Sequence, residues 1–233
     1  MMERILAWGV HFFTSLGMLA AAGMAVLTFR GGDDSFRGVF VLMLVATLID
    51  AVDGTLARLA RVKAVLPDFD GRRLDDLIDF HTYTSLPLLL LWRAEVLPGM
   101  LSVLLLLPLL ASLYGFSRGA AKTDDGFFLG FPSYWNIVAF YLYFLAAPRW
   151  FNAAAIAILA ILTFVPTRYV YATQRGTLNR ITNILAAVWV IQIIWVLIAA
   201  PEHRGNVALA SLCFPIFYMA ASWWVSLRRA ESK

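Results

Sequence analysis

Charge is scarce in this chain of 233 residues. Asp, Glu, Lys and Arg make up 15% of it and apolar residues 61%, whereas soluble domains carry about 25% charged and about 45–50% apolar residues. That balance excludes an ordinary soluble enzyme. Cysteine is scarcer still. Cys213 stands alone in a late apolar run, so no intramolecular disulfide can form and a small buried side chain is its expected role. Histidine occurs three times, and no His or Cys cluster has the spacing of a zinc site. The net charge of +4 is too small for a nucleic-acid surface. Soluble-array repeats and low-complexity tracts are also missing. The first apolar run has a weak basic flank at Arg4 and no small-residue cleavage site, so it reads as a membrane span rather than a signal peptide.

What remains is long apolar runs. Eight can be marked, at about 5–29, 37–60, 78–94, 98–117, 134–148, 150–167, 179–200 and 207–227, against the roughly 20 residues a helical span needs. They predict an all-α integral membrane protein with about eight transmembrane helices, a single catalytic domain over 1–233 and short loops. Trp8, Trp92, Trp150, Trp223 and Trp224 fall near span ends as interfacial anchors. With a cytoplasmic N-terminus, fourteen Lys and Arg residues lie on the cytoplasmic side and five opposite. The positive-inside rule then places both termini and the loop after the second span in the cytoplasm.

Against this background, four aspartates stand out. Asp50 and Asp53 close the second run, and Asp75 and Asp79 open the third. A charged side chain in hydrocarbon costs roughly 2.5–3.5 kcal/mol on insertion scales, and four converging carboxylates repel unless cations neutralise them. At 100° per residue, Asp50, Asp53, Gly54, Ala57, Arg58 and Arg61 share one helix face, and Asp75 and Asp79 another. Two such pairs predict a site for hard cations, Mn²⁺ or Mg²⁺. Gly54 and Ala57 leave a groove beside the acids, and Arg58 with Arg72–Arg73 supplies positive charge suited to a pyrophosphate. Carboxylates, cations and arginine together point to phosphoryl or phosphatidyl transfer.

The stretch Asp50-x2-Asp53-Gly54-x2-Ala57-Arg58 … Gly71-x3-Asp75-x3-Asp79 resembles the signature of the CDP-alcohol phosphatidyltransferases. Twelve residues, 59–70, separate Arg58 from Gly71, a longer gap than common members have and one that resembles the bacterial choline-using branch. Ala121–Asp124, Gly130–Asn136 and Phe164–Thr167 resemble the same branch. The resemblance implies the fold of that family and a two-cation site, Mn²⁺ or Mg²⁺, with Asp50, Asp53, Asp75 and Asp79 as ligands. It implies Asp79 as the general base and Arg58 as ordering the carboxylates or binding phosphate. It further implies Asp53, Gly54, Ala57 and Gly71 around the CDP moiety. The implied reaction is CDP-diacylglycerol plus choline giving phosphatidylcholine and CMP, in a bacterial inner membrane, by a chain whose relatives are often homodimers. Pro67 is expected to end an extended second helix.

A quaternary ammonium offers no hydrogen-bond donor and is recognised by aromatic faces. Tyr83, Tyr134 and Trp135 are the candidate choline cage. Serine, inositol phosphate or glycerol phosphate are the alternative acceptors. An anionic acceptor calls for added basic residues in the spans, where this chain has aromatics. A cation transporter is disfavoured because no second aspartate cluster matches the first. His81 reads as packing, Arg118, Lys122 and Arg168 as phosphate contacts or positive-inside charges, and Asp76 as a supporting carboxylate or a partner of Arg72 or Arg73.

Overall fold

The computed structural model describes residues 1–118, 128–169 and 177–230. Among these, Lys122 and the segment 121–124 have no place, and nor do Arg175 and Lys233. The described chain is predominantly α-helical, and its contacts divide it into two compact units, Met1–Glu95 and Val96–Lys233.

The first unit begins with helices α1 (Met2–Arg30) and α2 (Asp33–Leu59). At 1.5 Å per residue, α1 is about 44 Å long, enough to cross a bilayer. Gly31 and Gly32, at φ 72° and 86°, make the turn between them, and the Gly31 N–H bonds the Leu27 carbonyl at 3.1 Å. Helices α1 and α2 pack antiparallel with small residues at the seam. A Cβ on Gly23 would lie 2.8 Å from Leu42, and one on Gly38 would lie 2.9 Å from Leu27. Small residues let backbones approach where lipid removes the hydrophobic drive between helices. Met24 of α1 and Val39, Phe40 and Met43 of α2 are buried there, whereas Phe12, Leu19, Val26 and Phe29 face outward. An apolar exterior is what hydrocarbon solvent requires.

Helix α2 ends before Pro67, and not because of it. Arg61 takes a left-handed backbone, φ 50°, which breaks the i→i−4 ladder and removes Arg61 from the helix face the sequence suggested. A one-turn helix α3 (Val62–Val65) follows. Val62 and Leu66 close over Ala7 and Val10 of α1, with Leu56, Ala57, Ala60 and Val65 packed around them. Helix α4 (Gly71–Asp79) is capped by the Asp70 carboxylate, which accepts the Arg73 N–H at 3.0 Å. It continues without interruption into a π-helical segment, Phe80–Ser85, and then α5 (Leu86–Arg93). Helix α4 runs parallel to α1: a Cβ on Gly71 would press on His11, and one on Gly17 on Ile78.

The second unit opens with a 3₁₀ segment, Gly99–Leu105, and α6 (Leu106–Ser117). Helices α7 (Trp135–Phe144), α8 (Arg149–Leu162), α9 (Thr177–Ile198), α10 (Pro201–Ser211) and α11 (Cys213–Ala230) follow. Two short strands, β1 (Phe128–Leu129) and β2 (Arg168–Tyr169), pair antiparallel with Phe128 opposite Tyr169. A buried network in which the Trp189 indole N–H donates to Tyr141 Oη at 2.7 Å, itself 2.9 Å from Ser211 Oγ, ties α9, α7 and α10 together. Cys213 is exposed rather than buried. By length and apolarity, five described helices can cross a membrane: Met2–Arg30, Asp33–Leu59, Gly99–Ser117, Arg180–Ile198 and Pro201–Arg228. The protein is a multi-pass membrane protein.

Candidate active site

The acidic residues meet within the first unit. One carboxylate oxygen from each of Asp50, Asp75 and Asp79 lies within 4.8 Å of the others, and all three side chains are half-buried. Helix α2 supplies the first, and α4 supplies the other two one turn apart. At that separation two ionised carboxylates repel by about 3.5 kcal/mol at an effective dielectric of about 20. Asp79 lies in the combined field of Asp50, Asp75, Asp53 and Asp76, with Asp50 acting most strongly. A half-buried set of three oxygen donors, with neither His nor Cys among them, suits a hard divalent cation.

Asp53 is not among these three. It is buried, and its Oδ2 accepts a hydrogen bond from the Thr14 hydroxyl of α1 at 2.8 Å. Asp50 is held in the same way from the other side, its Oδ2 accepting from the Tyr83 hydroxyl at 2.8 Å. Tyr83 reaches it because the chain winds as a π-helix just after Asp79. A π turn inserts an extra residue per turn and commonly marks functional sites. Both donors occupy one oxygen of an aspartate and fix the plane of its carboxylate, the task of supporting groups around metal ligands.

The small residues behave differently from one another. The Cβ position of Gly54 is open, with only Arg58 Nη1 near it at 3.7 Å. Arg58 lies back along α2, where Nη2 donates to Thr55 Oγ1 at 3.0 Å. Gly54 and Arg58 thus form an accessible, positively charged strip next to Asp53. Ala57 packs onto the Ala7–Val62 cluster. The room left by Gly71 is taken by the His11 ring, whose Cε1 would stand 2.5 Å from a Cβ. Asp76 faces Arg72 at 3.9 Å on the exposed side of α4.

Sequence reasoning missed Thr14 and His11. Their one available signal is a polar patch, His11, Thr14 and Ser15, in a largely apolar first span. His81 is exposed, with Nδ1 3.0 Å from Ser85 Oγ. Tyr134 and Trp135 belong to the second unit. Tyr134 is part-buried with its ring 6.4 Å from that of Tyr218. Trp135 is 0% exposed, and its indole N–H donates to Ser112 at 3.0 Å. Arg118 lies over the Tyr114 ring at 5.4 Å.

No family model matches the chain. Curated proteins do. The chain is 34% identical over 230 residues to the phosphatidylcholine synthase of Legionella pneumophila, covering 94% of this chain and 88% of that protein. It is 35% identical over 186 residues to the protein of that name from Pseudomonas aeruginosa, covering 79% and 77%. To the Bradyrhizobium diazoefficiens phosphatidylcholine synthase it is 34% identical over 237 residues, covering 97% and 82%. Likeness at this level, over this much of each protein, means that the chain belongs to the bacterial phosphatidylcholine synthase family of CDP-alcohol phosphatidyltransferases.

Proposed function

We propose that the protein transfers the phosphatidyl group of CDP-diacylglycerol to choline and releases CMP. The observation that carries the reading is the Asp50–Asp75–Asp79 cluster in a chain whose relatives are named for this product. Asp50, Asp75 and Asp79 would hold Mn²⁺ or Mg²⁺, with Asp53 completing a two-cation site. Bound there, the cations would neutralise charge developing on the leaving phosphate.

The chain's own residues supply the rest. Asp79 takes the proton from the choline hydroxyl as its oxygen attacks the phosphorus bearing diacylglycerol, and the P–O bond to CMP breaks. Gly54 leaves the α2 surface open to the nucleotide, and Arg58 beside it meets phosphate oxygens. Thr14 and Tyr83 hold Asp53 and Asp50 in fixed planes before substrate arrives. Tyr83, whose hydroxyl reaches Asp50, is the aromatic candidate for choline in the first unit, and Tyr134 and Trp135 are the candidates in the second.

The continuous helix 71–93 and the shorter apolar helices Trp135–Phe144 and Arg149–Leu162, added to the five long ones, support the reading of about eight crossings. We take the chain to form one catalytic domain with the family's fold, set in a bacterial inner membrane. The positive-inside balance supports a cytoplasmic site and cytoplasmic termini.

The test is a panel of labelled alcohols given to membranes bearing the protein, with CDP-diacylglycerol and Mn²⁺. Choline alone is expected to yield labelled lipid and CMP, and Asp79→Asn is expected to abolish both. Product with serine and none with choline would refute the acceptor; a fully active Asp79→Asn protein would refute the base.

A further inference from the structure

His11 has a buried nitrogen that nothing among the described residues bonds. The side chain is 6% exposed, and Nε2 has no hydrogen-bond partner among those residues. Its orientation is nevertheless fixed. The ring fills the space that Gly71 leaves, lies 4.4 Å from the Phe69 ring, and meets Trp8 edge-on at 5.9 Å. Leaving a buried polar atom unmatched is costly, and orienting it this firmly suggests a partner that arrives from outside.

Its position says what that partner is. His11 lies one turn before Thr14, the donor to Asp53, and beside Gly71, which lies one turn before Asp75 on α4. It therefore borders the carboxylate site at the end where α1 and α4 leave the apolar interior. The neighbouring Pro67, Asp68, Phe69 and Asp70 are exposed. The hydrocarbon tails beyond the ester carbonyls carry no group for an imidazole nitrogen, the pyrophosphate is met by the cations and Arg58, and the one hydroxyl of choline is taken by the base. The cytidine portion of the substrate is polar throughout.

We propose that His11 is a nucleotide-contact residue, its Nε2 hydrogen-bonding the cytidine portion of CDP-diacylglycerol while the Phe69 ring on the exposed 67–70 turn gives way. The inference rests on the phosphatidyl-transfer reading above. Gly71 then serves the nucleotide indirectly, by letting His11 reach its place. Trp8, 5.2 Å from Phe69, reports the movement.

The experiment measures CMP binding to the purified full-length protein in detergent, by radiolabel and by tryptophan emission. His11→Phe keeps a ring against Gly71 and Phe69 but removes the nitrogen. It is expected to weaken CMP binding about tenfold and to raise the KM for CDP-diacylglycerol similarly, leaving the choline KM unchanged. His11→Gln, which restores a polar group near Nε2, should recover part of the loss. Trp8→Phe should abolish the CMP-induced emission change while CMP still binds. His11→Phe protein that melts like the wild type and binds CMP as tightly would overturn the proposal. If His11→Phe does not fold, His11→Gln with unweakened binding and Trp8→Phe with an undiminished emission change overturn it instead. Wild-type protein that binds CMP yet makes no lipid from choline would sink the acceptor reading alone. Failure of the wild type to bind CMP would sink both.

Discussion

Replacing Tyr83 by Phe removes one oxygen and almost nothing else. The ring is 9% exposed, so the packing of the π-helical segment survives, and what is lost is the 2.8 Å bond to Asp50 Oδ2 together with the hydroxyl's bond to Thr47. Hydrogen bonds to charged groups contribute about 1.5–3 kcal/mol. Taking about 2 kcal/mol as the share lost from the cation-bound state gives roughly a thirtyfold rise in the Mn²⁺ concentration needed for half-maximal rate, within the 10–100-fold range typical of such supporting groups. The assay is CMP release as a function of Mn²⁺, at fixed CDP-diacylglycerol and then across a choline series. Raising the metal should restore most of the rate, because Asp50 itself is intact. A raised choline KM at saturating metal would instead place Tyr83 against the choline. An unchanged metal requirement with an unchanged choline KM would refute both roles.

Thr14→Val keeps the volume at the α1–α2 seam but removes the donor to Asp53. It should raise the metal requirement about tenfold, as metal titration of CMP release would reveal, with the melting temperature falling slightly. The two glycines beside the acids should separate in a thermal melt read together with steady-state kinetics. Gly54→Ala has room and gains helix propensity, about 1 kcal/mol, so it should melt higher while its KM for CDP-diacylglycerol rises. Gly71→Ala drives a methyl into His11 and should lose about 1–3 kcal/mol of stability together with activity. Equal melting temperatures for the two variants would contradict the packing described.

Much of the site was legible because carboxylates at i, i+3 and i, i+4 beside apolar runs have few physical explanations. Asp50, Asp75 and Asp79 lie where that spacing put them. What escaped reading depends on contacts between distant parts of the chain. Thr14 and His11 acquire meaning only when α1 lies against α2 and α4, and a few small polar residues and a His in an apolar run predict nothing about direction. Gly71 was legible as small, but not as space for an imidazole. The ending of α2 just before Arg61 was missed because nothing in that residue announces a left-handed backbone, whereas Pro67 advertises a break. Trp135 at a span start looked like an interfacial anchor or a ligand face, and its bond to Ser112 across 23 residues of chain had no signal in the sequence. The spans were plain from composition; the short helices of the second unit blurred their bounds.

The π winding at Phe80–Ser85 carries a consequence for insertions and deletions. A one-residue indel there rotates everything downstream by about 100° and slides it by about 1.5 Å. Tyr83 would swing off Asp50, and eight residues after the segment Arg93 would leave Gly31, where its guanidinium lies 2.6 Å from the position of a Cβ. The carboxylate cluster and the α1–α2 turn at the opposite end of the helices are therefore locked in one phase by the length of a single segment. Its sequence can drift more freely than its residue count.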